Sequence, residues 1–292
     1  MSEDATRDEQ ALVVIREQLA KTSASARRRL IEKFTLAALG SIPRVGGFIS
    51  AGISMKTDER GITKDNLQTQ WLEEHSKKMG KLGAALADVT ARFESLGEKI
   101  DERIQSEEYL GLVRHAFSAW DRAQTDEKRR YVGNLVGNAA GTKMCSDDVV
   151  RLFVDWLDLY HEVHFAIIRA IYQTPGVTRY DIWMAVNGQT VREDSAEADL
   201  FRLMMRDLST GGVLRQARDT TSDGEFLRKR PTGRRGPALT TMESAFEDTK
   251  PYVLTELGKQ FVHYTMNEVV PRVGMDSSQP AAMPPNSSTA NS

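Results

Sequence analysis

The chain has 292 residues, 40% of them hydrophobic and 27% charged, with a formal net charge of −2. That length leaves room for two or three modules of ordinary size, and the near-neutral charge excludes a global field drawing the molecule to nucleic acid or anionic membrane, so any basic surface must be local. The one cysteine, Cys145, excludes an internal disulfide and fits a reducing cytosol. The acidic, polar N-terminus carries no secretory signal. A cytoplasmic protein is expected, with membrane association only when activated.

Residues 9–33 read as an amphipathic helix with Leu12, Ile15 and Leu19 on one side. Phe34–Met55 follows, 22 residues of apolar and small side chains with Arg44 as the one charge. About 20 apolar residues cross a bilayer, but Arg44 at mid-span costs roughly 2.5–3.5 kcal/mol and Pro43 breaks the helix beside it. Two short apolar helices around a Pro–Arg kink are therefore expected. They have two readings. One is a hairpin buried in the core. The other is conditional insertion, in which Arg27, Arg28 and Arg29 dock on an anionic surface and Phe34, Leu39, Ile42, Gly46, Gly47, Phe48 and Ile53 enter lipid.

From Met79 a stripe of Leu82, Leu86, Val89, Phe93, Leu96, Ile100 and Ile104 recurs in steps of three and four. Such a heptad predicts a long helix to about Gln105, packed in a coiled coil or on a helical hairpin, and it suggests self-association through residues 66–106. Tyr109–Arg122 is the next helix. Thr125 should cap another, with Asp126 and Glu127 suited to its dipole. Gly133, Gly137 and Gly141 form a ridge for close approach of a neighbour, and Lys128, Arg129, Arg130 and Asn134 keep that helix soluble. A further helix opens at Ser146 or Asp147 and runs to about His161.

The section from 162 to 270 changes cadence. Helices are expected at His164–Gln173, Thr178–Asn187 and Asp194–Ser209, the last opened by a capping box of Asp194 and Glu197. Val213–Arg218 alternates as a strand, Asp223-Gly224 turns, and Glu225–Arg228 returns. Tyr252–Leu254 and a helix over Thr255–Met266 close the layout, which is that of a winged helix. Its third helix is acidic at the start, which disfavours phosphate. Its hairpin and loop are basic: Arg215, Arg218, Arg228, Lys229, Arg230, Arg234 and Arg235 could grip nucleic-acid backbone or be solvated loop. The fold class is thus expected to be mainly α: an N-terminal helix and Gly-rich apolar hairpin (1–65), a long heptad helix (66–106), a helical middle (107–161), a winged helix (162–270) and a disordered tail (271–292).

No phosphate loop, dinucleotide fingerprint or nucleophile elbow is present, so no catalytic residue and no cofactor is expected. Asp158, His161 and His164 share a helix face, but no second cluster completes a metal site.

The run FSAWDRAQTDEKRRYVGNLVGNAAGTKMCSDDVVRLFVDWLDLYHEVHFAIIRAIYQ, about a fifth of the chain, resembles the Abi-alpha (abortive infection alpha) proteins, which also place an Asn–Ala pair, here Asn138-Ala139, at the end of a helix. The resemblance implies bacterial anti-phage defence by growth arrest or cell death and carries no catalytic residues. It leaves the apolar segment, the heptad helix and the winged helix outside its reach. A non-enzymatic effector or adaptor with an unknown protein partner is the first expectation. A DNA-binding regulator dimerised through its long helix is the second.

Overall fold

The computed structural model describes residues 25–42, 63–218, 221–223, 225 and 244–269, and for 25–28 and 63–75 the backbone path alone. These residues are mainly helical. Helix α1, Ser25–Gly40, joins what the sequence divides into an amphipathic and an apolar helix. No break falls at Phe34, because Ile31, Phe34, Ala38 and Leu39 continue one buried stripe. The second half of the expected hairpin, with Gly46, Gly47, Phe48 and Ile53, lies outside the described residues.

Helix α2, Thr63–Leu96, stops earlier than the heptad stripe suggests. Gly97 takes φ +70°, a left-handed conformation open to glycine. A 3₁₀ turn (Gly97–Ile100) and the short α3 (Asp101–Gln105) follow. Met79, Leu82, Leu86, Val89, Phe93, Ile100 and Ile104 are all buried within the chain's own core. The stripe is thus covered within the chain, mainly by the helix over 126–141, and self-association through 66–106 would have to use another face of α2.

Ser106 caps α4 (Glu107–Arg122) by accepting from the Tyr109 N–H, and Thr125 caps α5 (Asp126–Gly141) as expected. Helix α6 spans Asp147–Leu159 and α7 spans Glu162–Gln173. Helix α8, Arg179–Asn187, has a reciprocal cap between Thr178 and Asp181. In α9, Ala196–Thr210, the cap is Ser195, accepting from the Ala198 N–H, and not Asp194. Asp194 is instead held by Arg192 at 2.8 Å. Strand β1 (Leu214–Gln216) pairs antiparallel with β2 (Tyr252–Leu254) in the register Leu214 to Leu254. Beyond Glu225 the expected return strand lies outside the described residues. Val177, between α7 and α8, bridges to Tyr252 on the free side of β2. Thr255 then caps the last helix, α10, Glu256–Thr265.

Helix α5 is central. It packs against α2, α4, α6 and α10, and one cluster of buried side chains runs from Phe34 on α1 to Met266 after α10.

Candidate functional site: the seat of the first helix and the ridges of the central helix

Residues repeated every four positions give α5 two ridges. Gly137 and Gly141 face α2: a Cβ on Gly137 would lie 3.3 Å from Arg92 Cγ, and one on Gly141 only 2.6 Å from Leu96 Cδ1. Gly133 meets nothing there, so two of the three glycines make the expected close approach. Asn134 and Asn138, each one residue after a glycine, turn their Nδ2 groups toward α10, while Asn138 Oδ1 accepts from Arg92 Nη2 on α2 at 3.5 Å. Asn134 is buried rather than solvating the helix. Its Nδ2 donates to the Thr265 carbonyl at 2.7 Å, and Asn138 Nδ2 donates to Tyr264 O at 3.0 Å and Asn267 Oδ1 at 3.1 Å. The last carbonyls of a helix have no partners within it; here two amides of another helix supply them. The sequence shows the Gly-Asn spacing twice, but its meaning depends on α10, more than 120 residues away.

Beside this ladder, Tyr131 Oη lies 2.8 Å from Glu127 Oε1 and 2.6 Å from Glu268 Oε1. A phenol has one proton to donate, so the second carboxylate depends on Arg169, 3.0 Å from Glu127 and 3.8 Å from Glu268. Burial, with Glu268 and then Glu127, pushes the Tyr131 phenol well above its ordinary value. A cleft of about 570 Å³ opens nearby, between Lys81 and Asp88 on α2 and Asn267 and Glu268 after α10. Its cations are already matched: Lys81 and Arg129 meet Asp126 at 2.7 and 3.0 Å, and Arg130 lies 3.8 Å from Glu268.

The seat of α1 is of another kind. Phe34 is 0% exposed, its ring 5.0 Å from Phe93 on α2 and 6.1 Å from Phe117 on α4, both edge-on. Ala38, Leu39 and Ile42 are buried with it, while Leu36 points outward. Burying Phe34, Leu39 and Ile42 contributes about 1.5–3 kcal/mol each. Among the described residues the enclosed Thr35 hydroxyl has no partner, a local cost of the seat. Of the basic run, Arg29 is exposed; the side chains of Arg27 and Arg28 lie outside the described residues. Among the described residues no helix is long and apolar enough to cross a membrane.

Of the basic wing, Arg215 is half-buried on β1 and Arg218 is exposed just past it. Arg228, Lys229, Arg230, Arg234 and Arg235 lie outside the described residues. The outward face of α9 carries Leu200, 49% exposed, and Leu203, 37% exposed, beside Glu197 and Asp199.

Asp158, His161 and His164 do not converge; among the described residues no group of three or more potential ligands does. His164 is buried, stacked on Tyr160, with Nδ1 accepting from the His161 N–H at 3.0 Å. Burial, then His161, pushes its pKa down to about 4, so it is neutral at neutral pH and caps α7 through Nδ1. Burial also raises the Cys145 thiol, against activation as a nucleophile. Comparison with known proteins returned no matching family model, no matching curated protein and no matching solved structure.

Proposed function

We propose that this chain is a non-enzymatic effector or adaptor in which α1 is a conditionally released, membrane-active element and residues 162–270 form a winged-helix docking or sensing domain. The observation that carries the reading is the α1 seat. An apolar stripe on α1, next to a basic run, is held by side-chain packing on α3 and α4, with Phe93 of α2 against Phe34. Packing of this kind is non-directional, so the same apolar stripe can in principle be covered by a lipid interface as well as by its core seat.

The order α7, Val177, α8, α9, β1, β2, with Val177 and β1 on opposite sides of β2, supports the winged-helix reading. The acidic first turn of α9 favours protein over DNA as its target. The resemblance of Phe117–Gln173 to the Abi-alpha proteins supports a setting in bacterial anti-phage defence.

The test uses Leu36→Cys in a Cys145→Ala background, labelled with an environment-sensitive dye, together with dye-filled anionic vesicles. A blue shift accompanied by leakage under some condition of pH or ionic strength is the expected result. Neither signal under any condition would remove the membrane role. A second reading, a DNA-binding regulator dimerised through its long helix, draws on Arg215 and Arg218 at the start of the basic segment. It requires gel-shift binding that falls steeply with salt.

A further inference from the structure

The inward side of α9 is fixed. Ala198, Phe201, Met204, Met205 and Leu208 are buried, Phe201 lies 5.3 Å from Trp183, and a Cβ at Gly211 would collide with Tyr160 Oη at 2.2 Å. The outward side is a rigid platform by consequence. Leu200 and Leu203, three apart and so on one face, are both exposed there.

The charges around them are arranged against phosphate. From 192 to 207 three arginines stand against five carboxylates. Two of the arginines are committed: Arg192 to Asp194 at 2.8 Å, and Arg202 to Glu193 and to Asp199, the latter at 2.8 Å. Glu193 is further engaged by Ser244 and by the Ala245 N–H. Glu197 remains exposed in the first turn of the helix, beside Leu200.

We propose that this face docks a basic amphipathic helix of a protein partner, its apolar row on Leu200 and Leu203 and its lysines or arginines toward Glu197 and Asp199. Helix-on-helix recognition uses such i, i+3 anchors, and the acidic rim steers a cationic partner while repelling nucleic acid. The proposal rests on the docking role given above to the C-terminal module.

The probe is a labelled Leu/Lys amphipathic peptide of about 18 residues, five helical turns, titrated with the full chain at physiological ionic strength and read by anisotropy. A Leu/Glu peptide of the same pattern and a DNA duplex serve as comparisons. The Leu/Lys peptide alone should bind. Leu200→Ser with Leu203→Ser should weaken it about tenfold, and Glu197→Lys with Asp199→Lys should weaken it and abolish its salt dependence. Leu200 and Leu203 face solvent, so the serine pair should leave thermal unfolding unchanged. The lysine pair removes the Asp199–Arg202 ion pair and the first-turn carboxylates and should lower the midpoint slightly. No binding by the wild-type chain, equal binding by both variants, or preferential binding of the duplex lost in the same variants would overturn the proposal. No vesicle is present, so a failure here leaves the release of α1 standing, and a failure to leak leaves the docking face standing.

Discussion

Two helices near the ends of the described chain are held in opposite ways. The end of α10 is fixed by directed bonds: Asn134 and Asn138 donate to named carbonyls, and Glu268 closes the junction with Tyr131 and Arg169. Helix α1 is held by shape and apolar area around Phe34. Directed bonds in a low-dielectric interior lose nearly everything when displaced by an ångström. Apolar burial is indifferent to which apolar surface does the covering. The contrast is between directed polar bonds at α10 and apolar packing at α1, and the proposed release of α1 rests on it.

The largest effect expected from breaking that contrast is at Phe34. Phe34→Ala removes a fully buried ring and should cost about 3–5 kcal/mol if α1 unfolds with the rest. If α1 is detachable, hydrogen exchange should instead rise in 25–42 alone, with the thermal midpoint nearly unchanged. Asn138→Ala should lower global stability by about 3 kcal/mol, because buried carbonyls of α10 lose their donor. A denaturant titration should show one earlier transition, and an unchanged midpoint would mean the ladder is dispensable.

His164 gives a pH signature on the fixed side. Its folded pKa, about 4, lies below the ordinary 6.5, so the unfolded chain binds the proton first. Its stability is present above pH 6.5 and is lost between 6.5 and about 4, on the order of 2 kcal/mol. His164→Gln should flatten that part of a pH–stability curve. The smallest effect belongs to Asp147, which Arg103 holds in a two-pronged ion pair and keeps below the usual carboxylate range. That contribution stands above the unfolded carboxylate value and disappears as acid protonates the folded group. Asp147→Asn should remove ~1 kcal/mol at neutral pH and leave little difference once both chains are acidified.

Much of the helical layout was legible from local chemistry. Thr125 and Thr178 mark helix starts because capping is decided by a few neighbouring residues, and the helix from Thr178 stops at Asn187 because Gly188 after it takes φ +71°. Long-range meaning was not. The heptad stripe passes through Gly97 without a change of pattern, so the end of α2 was hidden. Asn134 looks like a surface amide until α10 is laid beside it. Asp194 and Glu197 have capping-box spacing, but Arg192 takes Asp194, and Ser195 is left to cap. Of the candidate apolar site, Phe34, Leu39 and Ile42 could be read as one buried stripe; their partners Phe93 and Phe117, on two other helices, could not.

The amide ladder on α5 also orders events during synthesis. Asn134 and Thr265 are 131 residues apart, and Asn138 and Tyr264 are 126 apart. At typical elongation rates of about 5–20 residues per second, the central helix waits several seconds for the helix that satisfies it. In that interval two amides and the apolar surface that α10 will cover stay open to chaperones and proteases. A nascent chain that stalls before residue 256 never closes the ladder, and both amides stay without the carbonyls of α10.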